Sequence, residues 1–177
     1  LVTHNHYDHN NVKAVRPISE TEPFLIEGPG EYEVKEIFIQ GISSWHDAEG
    51  GKDKGQNTIY TIEAEGIRFC HLGDLGQKEL TDEQVDKIGT IDVLMIPVGG
   101  TYTISSGEAA KIISQIEPRI VIPMHYELPK LKIKLDAVEK FLKAMGKNAG
   151  SIIPQDKFIA KESSMPKEGM EIVVLQP

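Results

Sequence analysis

Thr3-His4-Asn5-His6-Tyr7-Asp8-His9 is the stretch on which the reading of this chain turns. It gathers three of the six histidines and one aspartate into six consecutive positions, spaced HxHxDH. An extended segment alternates its side chains, so His4 and His6 can face one ion. Asp8 and His9 then point to a neighbouring position. Imidazole nitrogen and carboxylate oxygen are donors that zinc accepts at about 2.0–2.2 Å. Two ions about 3.5–4 Å apart would suit a cluster of this kind. A histidine tag would be an unbroken run, without a carboxylate set inside a fixed spacing.

Around that run lies an ordinary globular chain. Its 177 residues suffice for a single domain over 1–177 with a core of its own. The net charge of −8 repels polyphosphate backbones, so the expected partner is a small-molecule substrate rather than nucleic acid. No apolar stretch approaches the roughly 20 residues of a membrane-spanning helix, so no membrane partner is expected. The lone Cys70 permits no internal disulfide, which fits a cytoplasmic location, and its apolar surroundings make it a small buried residue. The oligomeric state is left open, a homo-oligomer included. The motif begins only three residues after Leu1, where a strand should deliver it. The expectation is an N-terminally truncated version of a longer chain, short of its first strands.

The patterning predicts strands early, then strands alternating with helices. Residues 31–40 (EYEVKEIFIQ) read as one strand after Gly28-Pro29-Gly30. Residues 57–64 and 67–71 read as a hairpin across Glu65-Gly66. The short apolar runs 93–98 (VLMIPV) and 120–124 (IVIPM) read as strands covered on both faces. Helices are predicted after Thr81, over 107–116 behind a cap at Ser105 or Ser106, and over 134–145. The last places Leu135, Val138, Phe141, Leu142 and Met145 on one face and stops at Gly146. Residues 171–175 (EIVVL) return to strand, and GGKDKG at 50–55 reads as a polar loop. Lys52, Lys54 and Asn57 are placed with that solvated loop.

The HxHxDH run resembles the signature of the metallo-β-lactamase superfamily, and its surroundings resemble a subgroup of metal-dependent hydrolases similar to the lactonase-like and phospholipase-D-like branches. The likeness extends to His46 in SSWHD, HLGDLG at 71–76, DVLMIPVGGTYT at 92–103 and IPMHY at 122–126, in family order over most of the chain. It implies an α/β (α+β) fold, a four-layer αββα sandwich with a dinuclear site at one edge of the sheets. It further implies that His4, His6 and His46 hold one zinc, that Asp8, His9 and His125 hold the second, and that Asp74 bridges them. Manganese or iron could replace zinc. His46 is preferred to His71 as third histidine of the first ion. Ligands of this family come from separate strand ends, and His71 stands only three residues from Asp74. His71 is then expected to hydrogen-bond a ligand or line the pocket.

The chemistry implied is hydrolysis of an ester, lactone, amide or phosphodiester bond. A water shared by two zinc ions becomes a nucleophile near neutral pH. Asp8 and Asp74 offset the metal charge and relay the proton. The loop Gly99-Gly100-Thr101-Tyr102-Thr103 can offer backbone N–H groups, Gly100 among them, or the Tyr102 hydroxyl to a substrate oxygen. Tyr126 adjoins His125 and can line the pocket. Two rivals keep the fold: a phosphodiesterase or nuclease acting on RNA or DNA, and a non-catalytic metal-binding scaffold.

Overall fold

Apolar runs of four to six residues, split by turns and by amphipathic segments, fold into one mixed sheet with helices over it. The structure is a computed structural model and describes residues 1–18, 22–148 and 150–176. Its strands are β1 (Gly30–Val34), β2 (Ile37–Trp45), β3 (Gln56–Ala64), β4 (Ile67–His71), β5 (Val93–Pro97), β6 (Ile120–Met124) and β7 (Glu171–Ile172). They lie side by side in chain order in a seven-stranded sheet. The first four pair antiparallel, and β4 through β7 pair parallel.

The parallel half needs crossovers, supplied by α1 (Asp82–Ile88), α2 (Ser106–Ile116) and α3 (Val138–Ala144). Crossovers are right-handed and the strand order never reverses, so all three helices land on one face. There Ile88, Ile112, Ile116, Phe141 and Leu142 pack on Ile59, Cys70, Leu94, Ile96 and Val121. Cys70 is fully buried, as expected of a small core residue, and burial pushes its thiol pKa well up. On the opposite face Ile67, Val93, Ile120 and Val173 pack with Met165 and Phe158. The mixed α/β class matches the expectation. The αββα sandwich implied by the resemblance has two sheets and two helix layers, whereas the described residues form one sheet with one helix layer. Among the described residues no helix is long and apolar enough to cross a membrane.

Both helix caps foreseen in the sequence are made. The Thr81 and Ser105 side chains each accept from the backbone N–H three residues on, and Gln84 and Glu108 reach back to the cap. Replacing Ser105 by Ala is expected to cost about 1 kcal/mol, read as a lower urea midpoint with an unchanged m-value.

Three local expectations are corrected. Residues 31–40 form a hairpin, not one strand: Lys35 and Glu36 take φ 52° and 63°, and Val34 pairs with Ile37. A two-residue turn of that kind usually carries Asn-Gly, so Lys-Glu gave no signal of it. The third helix begins at Val138 rather than 134. Asp136 N–H donates to Gly99 O and Asp136 O accepts from Glu127 N–H, which ties the preceding residues to the loops after β5 and β6. In 171–175 only Glu171 and Ile172 join the ladder, and Leu175 instead bridges to Gln155.

Candidate metal centre

Strand direction gathers the site. Strands β2 and β4 are both antiparallel to β3, so they run the same way, and β5 and β6 are parallel to β4. The C-terminal ends of β2, β4, β5 and β6 therefore leave the sheet at one edge. His46 follows β2, Asp74 follows β4, the Gly99–Thr103 loop follows β5 and His125 follows β6. The histidine run is moored to the same edge. Thr3 O accepts from Thr58 N–H at 2.8 Å, and Val2 O accepts from the Tyr60 hydroxyl at 2.8 Å.

Two close approaches make this edge compact. A Cβ on Gly99 would overlap the His125 carbonyl oxygen, and one on Gly76 would overlap the His46 carbonyl. The backbone thus brings the loops after β4 and β5 against two of the histidines, at positions only glycine allows. His125 itself sits at φ 52° and Tyr102 at φ 70°, a left-handed conformation that costs a residue with a Cβ energy and is retained where the surroundings enforce it.

Asp74 is the hub. Its Oδ2 lies 3.5 Å from His46 Nε2, 3.6 Å from His9 Nε2, and 3.8 Å from both His4 Nε2 and His125 Nε2. These separations are too long for good hydrogen bonds. They approach the spacing of two donors that each sit about 2.0–2.2 Å from a shared ion. The donors of His4, His6 and His46 also lie within 4.8 Å of one another, as do those of His4, His9 and Asp74. Asp8 stands further out: its Oδ2 is 3.7 Å from His9 Nε2, and its side chain is more than half exposed.

The imidazoles are prepared to donate lone pairs. His4 is buried, its Nε2 has no hydrogen-bond partner, and its Nδ1 is 2.9 Å from Thr3 Oγ1. Burial pushes its pKa down to about 4 against the opposing pull of Asp74. Burial lowers His46 in the same way, with Asp74 again opposing and the nearby Lys54 ammonium adding slightly. Imidazoles around a buried carboxylate, with a buried ring nitrogen left unpartnered on each of His4, His46 and His125, fit a metal far better than they fit each other.

His71 is not in this set. It ends β4, its Nδ1 accepts from Gly73 N–H at 3.0 Å, and burial lowers its pKa. It shapes the turn that carries Asp74. Asn57, which the sequence places both at the edge of the polar loop and at the start of the strand 57–64, is a fully buried residue of β3 and not part of a solvated loop. Its Nδ2 donates to Ser44 Oγ (2.7 Å) and Leu72 O (2.9 Å), and its Oδ1 accepts from Asp74 N–H (3.0 Å). Asn is depleted from strands, so an Asn opening the run Asn57–Ala64 was the one available signal.

A cleft of about 320 Å³ opens over the centre, between His6, Asp8, Lys54, Tyr102, His125 and Ile133. One expectation about its wall is corrected. Gly100 does not offer its N–H to a ligand, because that group donates to Ile104 O, and Thr101 N–H donates to Gly99 O. Only the Tyr102 side chain of this loop faces the cleft. Tyr126 lines an adjoining apolar groove of about 440 Å³ with Ile122, Met124 and Leu131, and its hydroxyl donates to Leu175 O at 3.0 Å. Tyr126→Phe is expected to cost about 1 kcal/mol in urea denaturation and to leave metal content unchanged.

The sequence and the fold are matched in known proteins. The sequence profile of the Beta-lactamase superfamily domain fits residues 1–125. The chain is 36% identical over 128 residues to a UPF0173 metal-dependent hydrolase of Thermococcus onnurineus, covering 70% of this chain and 55% of that protein. A UPF0173 metal-dependent hydrolase of Pyrococcus furiosus is 34% identical over 125 residues, with the same coverage. Among crystal structures, one assigned as a Zn-dependent hydrolase of the metallo-β-lactamase superfamily, from Thermotoga maritima, has a TM-score of 0.69 at 38% identity, covering 85% of this chain and 71% of that one. The chain belongs to the metallo-β-lactamase superfamily. It spans about half the length, 55%, of the curated relatives it matches.

Proposed function

We propose that this chain is a metal-dependent hydrolase whose centre holds two divalent ions, zinc by the chemistry of its donors, and cleaves an ester, lactone, amide or phosphodiester bond of a small substrate. The observation that carries this reading is the single oxygen, Asp74 Oδ2, within 3.5–3.8 Å of four imidazole nitrogens. Nitrogen and oxygen donors with no thiolate suit zinc, with manganese or iron as substitutes. His4, His6 and His46 would hold one ion, and Asp8, His9 and His125 the other, with Asp74 between them. When bound, such a pair supplies an activated water and polarises the scissile oxygen.

The chain's own residues do the rest. Asp74 is buried and offsets the metal charge where solvent cannot. Asp8, at the mouth, has its Oδ2 both near His9 and open to water, so it can pass a proton outward. The Tyr102 hydroxyl stands over the cleft as a donor to a substrate oxygen. The cleft has the size of a small-molecule site. The names carried by the relatives support hydrolysis. A cytoplasmic location belongs to the same reading and rests on the lone buried thiol.

The test is elemental analysis of the folded protein after exchange into zinc or manganese, followed by turnover of lactone, amide and phosphodiester panels. Two ions per chain and hydrolysis in one panel are expected. A well-folded preparation that takes up no metal would sink the reading.

A further inference from the structure

The metal cleft has one cationic side chain on its wall, and a loop built to hold it. Lys54 is the only lysine or arginine among the described residues that line the cleft. It lies on the β2–β3 connection, directly after the strand end that carries His46. That connection is fastened from within by Asp47. One Asp47 oxygen accepts from Glu49 N–H (2.8 Å) and Gly51 N–H (2.9 Å), and the other from Asp53 N–H (3.0 Å) and Lys54 N–H (2.8 Å). The loop closes on itself through Gly55 N–H to Gly51 O and His46 N–H to Gly55 O, both 3.1 Å. The Trp45 ring lies against Gly51 so closely that a Cβ there would strike it.

A polar loop of this composition would ordinarily wander. Here the backbone of Lys54 is held by Asp47, which stations its side chain on the wall of the cleft. The partner of the Lys54 Nζ is Asp53, 3.2 Å away and largely exposed, a rim pair that competes weakly with a ligand. The carboxylates lining the cleft, Asp8 and Asp74, both belong to the proposed ligand set. A lysine facing a metal centre whose acids are engaged with metal favours an anionic group on the substrate.

We propose that Lys54 forms an oxyanion subsite beside the metal centre, receiving a carboxylate or phosphonate-like group of the substrate, and that Asp47 is the positioning residue that holds it there. The proposal rests on the metal-hydrolase reading above and narrows it to substrates that carry an anionic group next to the scissile bond.

The test separates the two readings. The zinc-loaded 177-residue chain is titrated calorimetrically with three thiols that anchor to metal through sulfur: 2-mercaptoethanol, 3-mercaptopropionate and 2-mercaptoethylphosphonate. The two anionic thiols are expected to bind about tenfold tighter than 2-mercaptoethanol, and their ratio shows which oxyanion is preferred. Lys54→Met should remove the preference while leaving zinc content and 2-mercaptoethanol affinity as they were, and Lys54→Arg should restore it. Asp47→Ala should weaken the preference in the Lys54 background and have no further effect on it in Lys54→Met. Equal affinity for all three thiols, or a preference that survives Lys54→Met, would overturn the subsite alone. A folded chain that binds zinc but none of the thiols would likewise overturn the subsite alone, whereas one that binds no zinc would overturn the metal-centre reading and the subsite with it.

Discussion

Asp74→Asn is expected to lower kcat/KM by about 10³-fold or more, equivalent to about 4 kcal/mol of transition-state stabilisation, and to release metal on dialysis. The reason is electrostatic before it is geometric. Asp74 is a buried carboxylate whose Oδ2 faces the Nε2 atoms of His4, His9, His46 and His125. Asparagine has nearly the same shape but no charge, and half of its amide turns N–H donors toward positions meant for cations. The two ions proposed for this site would then lose a buried countercharge that water cannot replace. The variant should still fold, since Asp74 N–H keeps its bond to Asn57. Circular dichroism should therefore be unchanged while elemental analysis shows the loss. Retention of two ions together with normal turnover would refute Asp74 as the shared ligand.

Asn57→Ala is expected to destabilise the fold by about 3 kcal/mol and to weaken metal binding by about 10–100-fold. The Asn57 side chain joins three segments: Ser44 at the end of β2, Leu72 after β4, and the N–H of Asp74. Truncation leaves the Leu72 carbonyl and the Asp74 N–H buried without those partners. It also frees the turn that aims the Asp74 carboxylate. Asn57→Asp should be worse than Asn57→Ala, because a second buried negative charge would lie beside Asp74 with the Leu72 carbonyl facing it. Chemical denaturation of the metal-free protein and competition for zinc with a chelator measure the two effects separately. If Asn57→Ala lowered stability without altering zinc affinity, Asn57 would be a core residue with no hold on the site.

Much of the centre was legible because its chemistry is local in residue type. HxHxDH has few uses other than holding metal, and His125 closes an apolar strand where side chains leave the sheet. His46 and His71 leave different strand ends and turn different ways: His46 faces Asp74, while His71 turns back to Gly73. The roles of Gly100, Tyr126 and Asn57 are not legible in the sequence for one shared reason. Their roles depend on which hydrogen-bond partner is already engaged. Ile104 O takes the Gly100 N–H within the same loop, whereas Leu175 O takes the Tyr126 hydroxyl and Asp74 N–H reaches Asn57 from distant segments.

The sequence by itself determined the donor set and the mixed α/β order of strands and helices. Both follow from side-chain chemistry and from apolar periodicity, which are properties of the chain one residue at a time. Only the tertiary structure decided that β2, β4, β5 and β6 end at one edge, so that residues as distant as His4 and His125 share a single carboxylate oxygen. It alone also decided that Asp47 folds a polar loop inward and stands Lys54 at the cleft. Strand direction is a relation between segments, and the Asp47 turn depends on which backbone N–H groups converge on one carboxylate, and composition and spacing encode neither.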